Sequence, residues 1–224
     1  MGSPICLIVG YGPGVGHGIA QAFAAEGFQL ALLSRHPGNH RELLDGLVAE
    51  GVAAQAFAAD ASQPASIEAA IAMVSSNLGE PEVLIYNASA FRPGPAGSLT
   101  SAEVLSDLNV IVGGALTSAN AVIPGMKQRG HGTIMFTGSS WGEVPNPAFA
   151  STSIGKAALH HLARMFALDL QGSGVHSVLF IIKGLVHSET TENPKRIGEA
   201  FLKAYRLPIS PEPTEIVFET QPEP

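Results

Sequence analysis

Runs of apolar residues of strand length alternate with segments of helical periodicity along most of the chain, and this alternation restricts the fold more than any single residue does. Ile5–Val9 and the runs 28–33, 52–57, 83–86, 133–136 and 175–182 are continuously apolar rather than alternating. That is the pattern of parallel strands covered on both faces. Between them, segments 16–26, 40–50, 64–78, a long one starting at Thr100, and 150–171 carry helix signals. Pro64 sits in a first turn, and Thr100-Ser101-Ala102-Glu103 reads as a capping box. Strict alternation with short connections predicts a doubly wound α/β sheet that binds ligands at the carboxyl ends of its strands. Beyond residue 185 the pattern loosens. A helix is expected over 194–204, then a proline-rich turn at Pro208, Pro211 and Pro213, then a seventh strand over 214–220.

Composition narrows the functional classes. With 224 residues, 46% hydrophobic and 14% charged, the chain can bury one large core. No Ser/Gly/Pro-rich linker or internal repeat divides it, so residues 1–224 are expected to form a single domain. A net charge of -7 without a basic cluster argues against a nucleic-acid or anionic-membrane surface, leaving small molecules as the expected partners. Cys6, the one cysteine, lies in an apolar run. A buried thiol, no internal disulfide and a reducing, cytoplasmic setting follow. No window approaches about 18 consecutive apolar residues, and the amino terminus enters a strand without a charged leader. Met1-Gly2-Ser3-Pro4-Ile5-Cys6 also lacks the Ser or Thr of a myristoylation signal.

The first strand runs directly into Gly10-Tyr11-Gly12-Pro13-Gly14-Val15-Gly16-His17-Gly18. The G-x-G-x-x-G spacing fits no register here, whereas Gly10-x-x-x-Gly14-x-Gly16 does. Side-chain-free positions let backbone approach a pyrophosphate, and the first helical amides, beginning at Val15, supply donors and positive dipole. The alternative is a plain tight turn. At the end of the second strand, about 20 residues on, an acid would hold the ribose hydroxyls of NAD. The chain has Ser34-Arg35 instead. A small hydroxyl and a guanidinium favour a 2′-phosphate, so NADP(H) is preferred and NAD(H) remains possible. A solvated arginine at a strand end is the rival reading. Asp60, with Ala61 after it, is placed to reach an adenine amino group or to cap a turn.

Taken in order, these signatures resemble the short-chain dehydrogenase/reductase superfamily over roughly the first 190 residues. Leu84-Ile85-Tyr86-Asn87-Ala88-Ser89 is similar to the family's Asn-Asn-Ala-Gly at the end of strand four, with Ser89 for the glycine. Asn109 resembles the helix asparagine that anchors a proton-relay water. Aligning Gly142 makes Ser139 the match to the catalytic serine, with Ser140 the weaker register. Lys156 matches the lysine that binds the nicotinamide ribose and lowers a tyrosine pKa, and Gly184 falls beside the carboxamide. The resemblance implies a Rossmann-type sheet, hydride transfer to or from a carbonyl, and a homodimer or homotetramer built on two charge-poor helices, 100–127 and 150–171. Residues 185–224 are expected to supply a variable substrate-side segment and the last strand.

Three departures stand out. Thr152 occupies the tyrosine position, Lys183 replaces the usual proline, and the family's Asp-Gly-Gly ending is absent. Thr152 and Lys156 are four residues apart, so both should face the cleft. A phenol titrates near 10, but an alkyl alcohol does not usefully ionise, so the tyrosinate mechanism is unavailable. Lys183 is a candidate acid–base group or a solvated lysine. His160 and His161 are expected at the surface or an oligomer interface, too far along the helix to meet the oxygen near Thr152. Phe91, Trp141 and Phe149 should wall the substrate cleft or pack in the core. Two functions are therefore expected: an NADP-dependent oxidoreductase with an atypical proton donor, or a dinucleotide-binding protein without redox turnover.

Overall fold

The computed structural model describes residues 2–184, 186, 192–210 and 212–220. Residues 185, 187–191 and 211 of the expected variable segment, with Met1 and 221–224, lie outside them. Seven strands form one sheet: β1 (Ile5–Val9), β2 (Gln29–Ser34), β3 (Ala54–Ala58), β4 (Val83–Tyr86), β5 (Gly132–Ser139), β6 (Val175–Lys183) and β7 (Thr214–Glu219). Their order is β3-β2-β1-β4-β5-β6-β7, and every adjacent pair is parallel. This is the doubly wound, Rossmann-type sheet, with its topological switch between β1 and β4.

Successive residues of a strand point to opposite faces, so the continuous apolar runs feed two cores at once. Leu7, Val9, Leu84 and Tyr86 pack with Ile67, Ala115, Val122 and Leu159 on one side. Cys6, Ile8, Val83 and Ile85 pack with Phe23, Phe180, Ile197 and Phe201 on the other. The helices on the first face are α3 (Pro64–Asn77), α5 (Gly114–Arg129) and α6 (Ala150–Asp169); α1 (Val15–Ala25) and α7 (Glu192–Tyr205) cover the second. Burying each large aliphatic side chain contributes about 1.5–3 kcal/mol, so loss of the apolar pattern in any one central strand would unmake both layers. Where α1 crosses α7, a Cβ on Gly18 would lie 1.9 Å from the Pro194 carbonyl oxygen, and one on Gly198 would lie 2.0 Å from that of Gly18. Two glycines let these helices touch backbone to backbone.

The long segment expected from Thr100 is three pieces: α4 (Ser101–Leu108), a π turn at Asn109–Gly113, and α5. Thr100 and Glu103 form the capping box reciprocally. By length and composition the stretch Ser101–Arg129 qualifies as apolar enough to cross a membrane, which a search for unbroken apolar runs does not detect. One face of it packs into the core, with Ile111, Ala115, Ala119, Val122 and Met126 buried against the sheet, and a third of its apolar window is buried. The second helix, α2 (Arg41–Ala49), follows a 3-10 turn at Pro37–His40 that carries Asn39 and His40 over the ends of β1 and β2.

Candidate functional site

The carboxyl ends of β1 to β4 surround a cavity of about 870 Å³ whose wall includes Gly10, Tyr11, Ser34, Arg35, Asp60, Ala61 and Asn87. The first turn after β1 shapes it. Gly10 has φ 93°, and a Cβ there would lie 2.4 Å from the Ala88 amide nitrogen. Only glycine combines that backbone angle with that approach. The Asn87 side-chain amide donates to the Gly10 carbonyl at 2.9 Å, fixing the loop to β4. Gly14 is the N-cap of α1 and contributes no side-chain hydrogen bond. The first amides of a helix lack intrahelical partners, but Gly14, Val15 and Gly16 are not on the cavity's wall and Gly16 is buried.

The corner of the cavity at the end of β2 is polar. The Ser34 hydroxyl is buried and has no hydrogen-bond partner among the described residues, and Ser34 lines the wall beside the exposed Arg35. His36, Asn39 and His40 complete that corner. The Asp60 carboxylate accepts from the Ser62 amide at 2.9 Å and the Ser62 hydroxyl at 2.8 Å. These bonds hold it below the usual carboxylate range. Asp60 thus caps a local turn while also lining the cavity.

The residues matched to the catalytic set are outside that cavity's wall. Ser139 ends β5, its hydroxyl accepting from the Trp141 amide at 3.2 Å. Lys156 is buried, its ammonium donating to the Thr137 carbonyl at 2.8 Å, and burial lowers its pKa to about 8. Thr152 is 1% exposed, and its hydroxyl donates to the Ala90 carbonyl at 3.1 Å. Asn109 is exposed at the start of the π turn. Lys183, half-exposed, sits 3.7 Å from the Glu143 carboxylate. Gly184 has φ 99°, and a Cβ there would meet the Thr220 hydroxyl at 2.1 Å. The three tyrosines lie elsewhere: Tyr11 bonds His17 at 3.0 Å with its pKa pushed up to about 12 by burial, Tyr86 donates to the Val110 carbonyl, and Tyr205 donates to Glu82.

Two features escape a reading of the sequence. His160 is 2% exposed rather than at a surface or interface, and its Nε2 accepts from the Ser139 amide at 3.3 Å. That bond requires the neutral imidazole with its proton on Nδ1, and desolvation lowers the His160 pKa accordingly. The ring fills space above Gly138 and Gly142, where added Cβ atoms would come within 2.7 Å and 2.6 Å of it. The second feature is Asp107, 4% exposed, which accepts from Arg92 Nε at 2.9 Å, Arg92 Nη2 at 3.1 Å and the Ser151 hydroxyl at 2.7 Å. Burial pushes its pKa up, but these bonds win and hold it low. An aspartate two residues before Asn109 was the available signal, and an isolated acid on a half-polar helix does not announce a partner 15 residues away.

These elements now carry an identification. Residues 4–196 match the short chain dehydrogenase family, and the chain belongs to it. It is 31% identical over 191 residues to the oxidoreductase UcpA of Escherichia coli K12, covering 85% of this chain and 72% of that one. It is 29% identical over 166 residues to 2,3-dihydro-2,3-dihydroxybenzoate dehydrogenase of Bacillus subtilis, covering 74% of this chain and 64% of that protein's length. Among solved structures, a gluconate 5-dehydrogenase from Burkholderia cenocepacia in complex with NADP and tartrate superposes with a TM-score of 0.76 at 25% identity, over 82% of this chain and 72% of that one. A metagenomic short-chain oxidoreductase in complex with NADP gives 0.86 at 21% identity over 99% of both chains.

Proposed function

We propose that this protein is an NADP-dependent oxidoreductase acting on a small carbonyl or alcohol, with a proton donor other than tyrosine. The observation that carries the cofactor reading is the buried, unpartnered Ser34 hydroxyl beside Arg35 on the cavity wall. A buried hydroxyl without a partner costs about 1–3 kcal/mol, and a phosphate oxygen would satisfy it. Arg35 would hold the same 2′-phosphate, the Val15 and Gly16 amides the pyrophosphate, and Asp60 with Ala61 the adenine. The bound dinucleotide would supply or accept hydride at C4 of its nicotinamide.

The protein's own groups then position the substrate and manage one proton. Ser139 would orient the substrate oxygen, its amide held by His160. Lys156 has ammonium protons beyond the one given to Thr137, for the ribose hydroxyls, and a pKa of about 8 lets it exchange a proton near neutrality. Asn109 would hold a relay water. Lys183 is the alternative source, though its pairing with Glu143 ties it to the loop after β5. Thr152, assigned on this reading to the tyrosine's place, would serve as a tether to Ala90 rather than as an acid.

That tether also favours a second reading, a dinucleotide-binding protein without redox turnover, because it seals the position from which an acid would act. Titration with NADPH followed by a screen of carbonyl compounds for NADPH oxidation separates the two. Binding with turnover supports the oxidoreductase, binding without turnover supports the second reading, and no binding removes both. Leu105, Leu116, Ile154, Met165 and Leu168 on α4, α5 and α6 are exposed apolar residues. They support a homodimer or homotetramer, which sedimentation at micromolar concentration tests: a monomer contradicts it.

A further inference from the structure

Phe91, Trp141 and Phe149 form an aromatic platform beside the catalytic loop. The Trp141 and Phe149 rings are stacked, 5.0 Å apart at 15°, and Phe91 lies 5.4 Å and 4.7 Å from them. Phe91 is 66% exposed, an unusual cost for an aromatic ring in a closed site. Phe91 lines the large cavity, whereas Trp141 lines a second one of about 460 Å³, together with Pro95, Ala96, Pro145, Pro147 and Ile154. The platform is thus a partition between a polar cleft and an apolar pocket.

Its placement is fixed by backbone. The Gly94 amide donates to Ala148 at 2.8 Å and the Ala150 amide to Gly94 at 3.2 Å, while Thr152 holds Ala90. Residues 90–94 are thereby stitched to the start of α6, so the rings are pre-organised and a ligand need not order them. The Trp141 amide bonds the Ser139 hydroxyl, which fixes the start of the loop that carries the tryptophan. Among the described residues, the flanking charges are already partnered, Arg92 with Asp107 and Glu103, and Lys183 with Glu143. A pocket of this volume suits one small molecule, and Trp141 on its wall is tied through its amide to the Ser139 hydroxyl, which favours a ligand over a second copy of the chain.

We propose that the platform binds a neutral aromatic ring, so that the substrate is an aryl carbonyl or aryl alcohol whose oxygen meets Ser139. The assignment of the reacting end rests on the oxidoreductase reading, but ring binding does not. Trp141 is the one tryptophan, so its emission reports occupancy directly. Benzyl alcohol and cyclohexylmethanol, matched in size, should be titrated in the presence and absence of NADPH, with ligand contact checked by saturation-transfer NMR. The aryl alcohol should bind more tightly by roughly 2- to 13-fold, the range that ring–ring contacts give. Phe91→Leu keeps apolar bulk at an exposed position and should reduce that ratio to about one without changing the thermal midpoint. Equal affinities, an unchanged ratio in the Phe91→Leu protein, or emission that follows protein concentration instead of ligand would overturn the proposal. Ring preference without NADPH oxidation would sink the oxidoreductase reading and leave the aromatic site standing. Turnover of aliphatic and aryl substrates with equal kcat/KM would do the reverse.

Discussion

Changing Thr152 to tyrosine puts a phenol at a position the fold has closed. Thr152 is 1% exposed and its hydroxyl is committed to the Ala90 carbonyl. Losing that hydrogen bond costs about 0.5–1.5 kcal/mol, and forcing a ring into a filled site typically costs about 1–3 kcal/mol more. Together these give a destabilisation of about 1.5–4.5 kcal/mol and, for a chain of this size, a fall in Tm of roughly 3–18 °C. The phenol would stand one helical turn from Lys156, whose ammonium depresses its pKa, and Ser139 would orient the substrate oxygen. A positioned general acid is worth roughly 10²- to 10⁴-fold in rate. Thermal melts, NADPH titration and NADPH-dependent reduction of carbonyl compounds on the same preparation test both halves. A variant as stable as the parent would refute the closed geometry. A folded variant that binds NADPH yet gains no activity would refute the roles given to Ser139 and Lys156.

Three further outcomes follow from the geometry. Gly10→Ala drives a Cβ to 2.4 Å from the Ala88 amide at φ 93°; NADPH binding should be lost and the urea midpoint should drop, and unaltered binding would contradict the role of this turn. His160, His17 and His176 all have pKa values lowered by desolvation. Their folded values lie below the unfolded value near 6.5, so stability is fully present above about pH 6.5 and is lost as pH falls toward the folded values. His160→Gln should flatten that slope, and an identical pH profile of the urea midpoint would show that His160 titrates normally. Thr137→Val removes a buried hydroxyl that has no partner among the described residues; the folded state should gain about 1 kcal/mol or more, and a loss in chemical denaturation would reveal a partner for it.

The layers and the cleft were legible because their signals are local. Continuous apolar runs mark buried parallel strands, and the Gly10-x-x-x-Gly14-x-Gly16 spacing predicts a backbone cradle after β1, of which Gly10 lines the cavity. The bounds of β1 and β4 are as expected, and the other strand ends shift by at most three residues, most at β5, which runs on through Thr137 to Ser139 because β6 pairs with it to the end. What the sequence hid is tertiary. Helical spacing puts His160 and Thr152 two turns apart, but it does not reveal that β5 runs beside α6 and brings the Ser139 amide to His160. The Arg92–Asp107–Ser151 network joins three segments that only the fold assembles. Spacing from Lys156 singles out Thr152, while its bond to Ala90 depends on residues 90–94 crossing the start of α6.

Cofactor affinity tests the central claim most directly. Isothermal titration of the purified protein with NADPH and NADH, repeated on Arg35→Ala, should show NADPH binding tighter by an amount typical of a charge-assisted contact, about 1.5–3 kcal/mol, with most of that difference gone in the variant. Equal affinities in the unaltered protein would contradict the assignment of Ser34 and Arg35 to a 2′-phosphate, and absence of binding by either nucleotide would contradict the account as a whole.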